Sequence, residues 1–234
     1  MEDRSPTGVL LEMANCTDAK ALEDFNAWYE RTHIPDMVAT GALYKGLRFE
    51  NCKPNRPEYP RRVKEAKWLT VYETDWQDSR KAYDAVMHRW EVWKKSGRLH
   101  PALETTFLTM YRRRPEPGQG HLSEKPINGI NLVLVRGDED FHRWGKFVHI
   151  RWIAEVDPPG YTMITRYENA VSATEGPNIL HLYEMVSDDH IRDQATFPKL
   201  VEQRLGKDTP AMKDWQMHPS LEIWYVNSFK RVSA

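Results

Sequence analysis

The stretch EDFNAWYERTHI, residues 23–34, returns 116 residues later as EDFHRWGKFVHI, residues 139–150, with the frame Glu-Asp-Phe-x-x-Trp-x-x-x-x-His-Ile unbroken. Three further blocks repeat in the same order. RFEN at 48–51 returns as RYEN at 166–169, VYE at 71–73 as LYE at 182–184, and HPALE at 100–104 as HPSLE at 218–222. Their separations of 118, 111 and 118 residues are near half of the 234-residue chain. One such match would carry little weight; four in order imply a tandem duplication. The shorter separation at VYE implies an insertion in the first copy. CKPNRPEYPRRVKE, residues 52–65, is rich in proline and charge and reads as that surface loop.

The stretch RRRPEPGQGHLSEKP, residues 112–126, carries proline and glycine and has no apolar period, so it reads as a linker. The copies are then residues 1–114 and 127–234, joined by 115–126. Both show the same order of elements. In the first, residues 7–15 are a strand, and 19–33 a helix in which Leu22, Phe25 and Tyr29 recur at helical spacing. Thr17 or Asp18 can cap that helix, and Pro35 and Gly41 lie past its expected end. Residues 42–51 form a strand with Leu43, Leu47 and Phe49 on one face and Tyr44, Arg48 and Glu50 on the other. A third strand at 67–74 leads to a second helix at 79–97, striped by Ala82, Val86, Trp90 and Trp93 and stopped by Gly97. A strand at 104–111 closes the unit.

This order is βαββαβ, the ferredoxin-like unit: an antiparallel sheet with both helices on one face. Its other face is bare and must be covered. The expected fold class is therefore α+β, two fused ferredoxin-like repeats mated sheet against sheet about a pseudo-twofold axis into a pseudosymmetric α/β barrel.

Composition narrows the function. The formal net charge of −1 gives no electrostatic reason to expect nucleic acid or an anionic membrane. No apolar run reaches the ~20 residues that span a bilayer. The charged start MEDRSPTG has no secretion-signal core behind it, and two cysteines make no disulfide framework, so a cytoplasmic protein is expected. Nine Trp and ten Tyr fit a packed core or a pocket for a flat apolar ligand. No nucleotide loop, zinc spacing or nucleophile elbow is present.

FNAWYERTHIPDMVATG, residues 25–41, resembles the signature of the dimeric α/β-barrel superfamily, especially its EthD-like branch, where a Trp-Tyr pair is followed by His-x-Pro and an acidic residue. Here these are Trp28, Tyr29, His33, Pro35 and Asp36. The second repeat keeps Trp144 and His149 but has Gly145, Arg151 and Trp152 where Tyr29, Pro35 and Asp36 stand. The resemblance implies a cleft between helices and sheet in each repeat, carried over more firmly to the first. Relatives include polyketide cyclases, muconolactone-type isomerases, cofactor-free monooxygenases, and heme-dependent chlorite dismutases and dye-decolorising peroxidases.

Within that frame His33 and Tyr72 are the candidate catalytic residues. His33 lies one turn past Tyr29 at a helix end, where dipole and burial pull its proton affinity in opposite directions. It reads equally as an acid/base or as a residue that bonds the last helix carbonyls. Tyr72 can hold an oxyanion or simply pack. Trp28, Tyr29, Arg48 and Trp68 are the candidate substrate-binding residues. The pairs Arg48/Glu50 and Arg166/Glu168 also suit an ion-pair network between the sheets. His100 and His218 read as turn residues. The leading expectation is cofactor-independent acid/base chemistry, that of a lyase, isomerase or polyketide-type cyclase, on an apolar or aromatic carbonyl compound. The alternatives are an oxidative enzyme on an aromatic, heme-bound or cofactor-free, and a non-catalytic small-molecule-binding protein. No cofactor and no metal is expected. The partner expected is one small apolar or aromatic molecule, with further self-association of the fused pair left open.

Overall fold

The computed structural model describes residues 1–2, 4–52, 62–115, 118–120, 125–172 and 174–232. Most of the expected insertion (53–61) and parts of the expected linker (116–117 and 121–124, with His121) lie outside the described residues.

Each repeat supplies four strands and its own helices. The first holds β1 (Gly8–Cys16), β2 (Lys45–Asn51), β3 (Trp68–Thr74) and β4 (Leu103–Arg113). After the two-residue β5 (Gln119–Gly120), the second holds β6 (Gly129–Arg136), β7 (Tyr161–Asn169), β8 (Ile179–Met185) and β9 (Glu222–Arg231). The strand order is β4-β1-β3-β2-β9-β6-β8-β7, and a further pairing of β4 with β7 closes it. The result is an eight-stranded antiparallel barrel made of two ferredoxin-like halves. The bare faces are thus covered by edge joining and curling rather than by two separate layers. Three residue pairs make each seam: Phe49↔Arg231, Glu50↔Lys230 and Asn51↔Phe229 on one side, Tyr111↔Asn169, Arg112↔Glu168 and Arg113↔Tyr167 on the other. Closure pairs the strands that would otherwise be sheet edges, β2 with β9 and β4 with β7, over part of their length.

Strand alternation sorts the side chains. Val9, Leu11, Met13, Leu47, Phe49 and Val71 meet Ile130, Leu132, Leu134, Leu180, Leu182 and Phe229 inside the barrel. Each such burial contributes roughly 1.5–3 kcal/mol. The intervening positions face outward, under the helices.

The first helical run is longer and less regular than the sequence suggests. Asp18, not Thr17, caps it by accepting from the Lys20 amide. It continues as α1 (Leu22–Trp28), a π-helical turn over Tyr29–His33, and α2 (Ile34–Val38), past Pro35. In that turn the Ile34 amide donates to the Tyr29 carbonyl, five residues back. Pro35 then falls in the first turn of a new helical segment, where its missing N–H is not needed. Gly41, at φ +74°, follows the end of the run. The single long α3 (Ser79–Ser96) stops at Gly97 in the left-handed region, as its pattern predicts, and starts on an Asp78 cap.

The second repeat copies the irregular helix. α4 (Glu139–Trp144) is capped by Asp138, a π turn covers Gly145–His149, and α5 (Ile150–Glu155) follows. Where the first repeat has α3, the second has α6 (His190–Leu205) and a short α7 (Pro210–Gln216). Among the described residues no helix is long and apolar enough to cross a membrane.

Candidate functional site

The two π turns explain the repeated Trp-x-x-x-x-His spacing. Residues five apart on a regular α-helix point ~140° apart. One i→i+5 turn between them restores them to the same side. Trp28 stacks on His33 at 4.8 Å and 25°, and Trp144 on His149 at 4.9 Å and 27°. The same helical device therefore presents an imidazole, with an indole against it, to the outer face of each half-barrel.

In the first repeat the imidazole meets a carboxylate. His33 is 1% exposed, and its Nε2 donates to the Glu12 carboxylate at 2.8 and 3.1 Å. The Tyr72 hydroxyl donates to the same carboxylate at 3.1 Å, and the Thr70 hydroxyl donates to Tyr29 Oη at 3.0 Å. Burial, then the neighbouring Glu12 charge, pushes the Tyr29 phenol well above its ordinary range; burial, then Tyr29 and Glu12, does the same to Tyr72. Trp90 approaches His33 edge-on at 5.6 Å. The structure thus brings Trp28, Tyr29, His33 and Tyr72 together and adds Glu12, which the sequence reading did not single out. Tyr29, His33, Trp68 and Tyr72 are all buried against their neighbours.

Arg48 lies over the Tyr29 and Trp68 rings at 4.3 and 4.9 Å and donates to Glu30 and Asn26 at 3.1 and 2.9 Å. With Trp68 it borders a shallow surface depression. The expected Arg–Glu network between the sheets takes a different form. Glu50 meets Lys67 at 3.5 Å, Arg166 donates to the His142 carbonyl at 2.8 Å, and Glu168 pairs with Arg112 across the β4–β7 seam at 2.7 Å. The reason is strand alternation: Arg48 and Arg166 point outward to the helices, away from the barrel interior.

In the second repeat the same place is hollow. A cavity of about 290 Å³ lies between the outer face of β6 and β8 and the helices α4, α6 and α7. Phe141, Trp144, Tyr161, Tyr183, Phe197 and Trp215 supply aromatic walls, and His149, His181 and Asn131 supply polar atoms. His149 is held between two indoles, with Trp215 stacked on it at 5.2 Å and 12°. Its Nδ1–H donates to the Trp215 carbonyl at 2.8 Å, and Trp215 Nε1 donates to the His149 carbonyl at 3.1 Å. That bond fixes the tautomer and leaves Nε2 as a bare acceptor. Burial pulls His149 below the ordinary imidazole value, only partly offset by the carbonyl bond, so the ring is neutral near pH 7. His181 is pulled well below it, by burial first and then by the nearby His149 and Arg166.

Strand register accounts for the difference. Glu12 pairs with Thr70, and the matching pair in the second repeat is Val133 with His181. The Tyr29 position is Gly145, where an added Cβ would meet nothing nearer than 3.8 Å. A phenol ring and a carboxylate have been removed from beneath the histidine, and space remains. Gly145 is visible in the sequence; its consequence is not, because it depends on what the strand below supplies. His181 and Asn131 carry no motif, and only the alignment of one repeat's strands on the other would have marked them.

No family model and no curated protein matches the chain. Solved structures do. A dye-decolorizing peroxidase from Bacteroides thetaiotaomicron matches with a TM-score of 0.59 at 10% identity, over 99% of this chain and 94% of that one. A mutant chlorite dismutase from Candidatus Nitrospira defluvii matches with a TM-score of 0.61 at 7% identity, over 98% and 93%. An anthrone oxidase-like protein matches with a TM-score of 0.56 at 10% identity, over 100% and 94%. All three are named for oxidative chemistry. The expectation of a lyase, isomerase or polyketide-type cyclase is therefore corrected: the aromatic content and the acid/base-capable histidine behind it suit oxidation of an aromatic equally well, and fold alone does not choose. At these identities the likeness carries the fold alone. The chain has the dimeric α/β-barrel fold, closed within one polypeptide from two ferredoxin-like repeats.

Proposed function

We propose that this chain is an oxidative enzyme acting on an uncharged, electron-rich aromatic in the second-repeat cavity, with dioxygen as oxidant and no resident cofactor. The observation that carries it is His149: a neutral imidazole, locked as the Nδ1–H tautomer by the Trp215 carbonyl, with Nε2 free beside an aromatic-lined cavity. The oxidative names of the structural neighbours support the reaction class. Nε2 takes a proton from a phenol or from an activated, anthrone-type methylene. The resulting anion is electron-rich and reduces dioxygen. For a methylene the balance is CH2 + O2 → C=O + H2O, and for a phenol with a free para C–H it is phenol + O2 → para-quinone + H2O; in both, one oxygen atom enters the product and the other leaves as water. Trp144 and Trp215 hold the imidazole plane and keep bulk water from the anion.

Heme is implied by part of the superfamily. His149 Nε2 would be the residue to hold its iron, because a ligating histidine usually donates its other N–H to a carbonyl or carboxylate. The rest of the site does not suit the group. No Lys or Arg is among the described residues lining the cavity, so the macrocycle's carboxylates would have no partner, and indoles cover both faces of the imidazole. No step is routed through heme.

In this reading His33 and Tyr72 hold the first repeat together around Glu12, while Trp28, Tyr29, Arg48 and Trp68 fill and edge that closed counterpart. The Trp28–Asp36 stretch supports a place near the EthD-like branch, and Cys16 and Cys52, which form no disulfide with each other, suit a reducing cytoplasm. The test is oxygen uptake with anthrone above the buffer rate, comparing wild type with His149→Ala. Equal rates for the two proteins, or an activity that tracks a Soret band, would sink the proposal.

A further inference from the structure

The cavity holds more unspent polarity than a general base requires. His181 is 3% exposed, lines the cavity and lies flat against Phe141 at 6.0 Å and 11°. Asn131 is 2% exposed; its Nδ2 donates to Tyr161 Oη at 2.6 Å, while no donor among the described residues reaches its Oδ1. Buried polar groups are nearly always paired, and an unpaired one is costly. The pairings Asn131↔Tyr183 and Val133↔His181 put both groups on the same outward face of β6 and β8, under the helices and against the cavity.

The first repeat shows how such groups are silenced when no ligand is expected. There Thr70, at the position of His181, is spent on Tyr29, and Glu12 is spent on His33 and Tyr72. In the second repeat Gly145 removes the tyrosine and Val133 the carboxylate, and among the described residues Asn131 Oδ1 is left without a donor. A neutral imidazole offers one donor and one acceptor, and an amide oxygen one more acceptor.

We propose that this cavity selects an uncharged aromatic bearing a hydroxyl group, which His181 and Asn131 Oδ1 hydrogen-bond, and that it rejects aromatic carboxylates. The inference rests on the reading of this cavity as the oxidative site and names the substrate class within it. Rejection follows from the lining, in which the described residues include no Lys or Arg and the imidazoles are neutral. Arg166 lies nearby, behind Gly145, with its guanidinium donating to the His142 carbonyl. A carboxylate that captured it would bind, so carboxylate binding is the outcome that contradicts the proposal.

The test is calorimetric titration of the full chain, without oxygen, at pH 7, with naphthalene, 2-naphthol and 2-naphthoate. 2-Naphthol should bind about tenfold more tightly than naphthalene, the scale of one net hydrogen bond. 2-Naphthoate should give no heat at the same concentration. His181→Phe should keep naphthalene binding and erase the naphthol advantage, and His181→Gln should restore part of it. Naphthoate binding as tight as naphthol, a naphthol advantage that survives His181→Phe, or no binding of any of the three would overturn the proposal. If naphthol is selected as stated but no aromatic drives oxygen uptake, selection stands and the oxidative reading falls.

Discussion

His33 and His149 occupy the same place in two copies of one helix, and their fates differ by what lies beneath. Glu12 under His33 makes a buried pair; Val133 under the second histidine leaves an imidazole free to react. Truncating His33 to Ala strands the Glu12 carboxylate in the interior, and urea unfolding should show a loss of roughly 3–5 kcal/mol. His149→Ala should keep a native circular dichroism spectrum but lower oxygen uptake with anthrone by about a hundredfold or more, the scale of a positioned base. The pH profile gives a second check. Burial lowers the His149 value, so more acid is needed to protonate it than an ordinary imidazole. The acid limb of kcat/KM should therefore fall below pH 6.5; a limb at or above that value would be inconsistent with this residue as the base.

At the level of elements the π turn and its glycine decide the site. Gly145 has φ −54°, ordinary helical backbone that any residue adopts, so its small size and not its flexibility is what matters. Gly145→Ala should raise stability by roughly 0.5–1 kcal/mol, since alanine loses less entropy in a helix and the space is open. Gly145→Tyr should rebuild the first repeat's packing and abolish 2-naphthol binding in the same titration. The pattern of apolar residues predicted α3 to its last turn, because Gly97 is a local stop signal. It misjudged the first helix, ending it before Pro35, because a π turn leaves no mark in composition. The repeated five-residue Trp–His spacing was its trace.

The whole molecule is one closed barrel whose two seams both join different repeats. We propose the division into residues 1–114 and 127–234 as the duplicated units, and expect residues 1–114 alone to aggregate or self-associate, as light scattering would record, because β2 and β4 would lose their partners. Stability should also depend on pH across the molecule. His142, His149, His181 and His190 all have values lowered by burial, so below pH 6.5 the unfolded chain binds protons that the folded one refuses, and stability falls on acidification. Glu184, raised to about 7 by burial, acts in the opposite sense: from its ordinary 4.5 up to 7 the folded state holds the extra proton, and stability falls as pH rises. Glu184→Gln should therefore steepen the loss between pH 7.5 and 5.5 in urea titrations.

The repeat, the βαββαβ order, the barrel class and the positions of the paired histidines were legible in residue order, because all of these rest on local periodicity and on identity between distant stretches. Which repeat is hollow was not legible there, because it depends on packing between distant elements. The stronger motif, Trp28-Tyr29 through Asp36, drew attention to the first repeat, yet a tyrosine there fills space and ties off polar groups. Whether a histidine is a strut or a base depends on the side chain across from it on a neighbouring strand, and strand register brings together residues such as Val133, His149 and His181 that no local pattern connects.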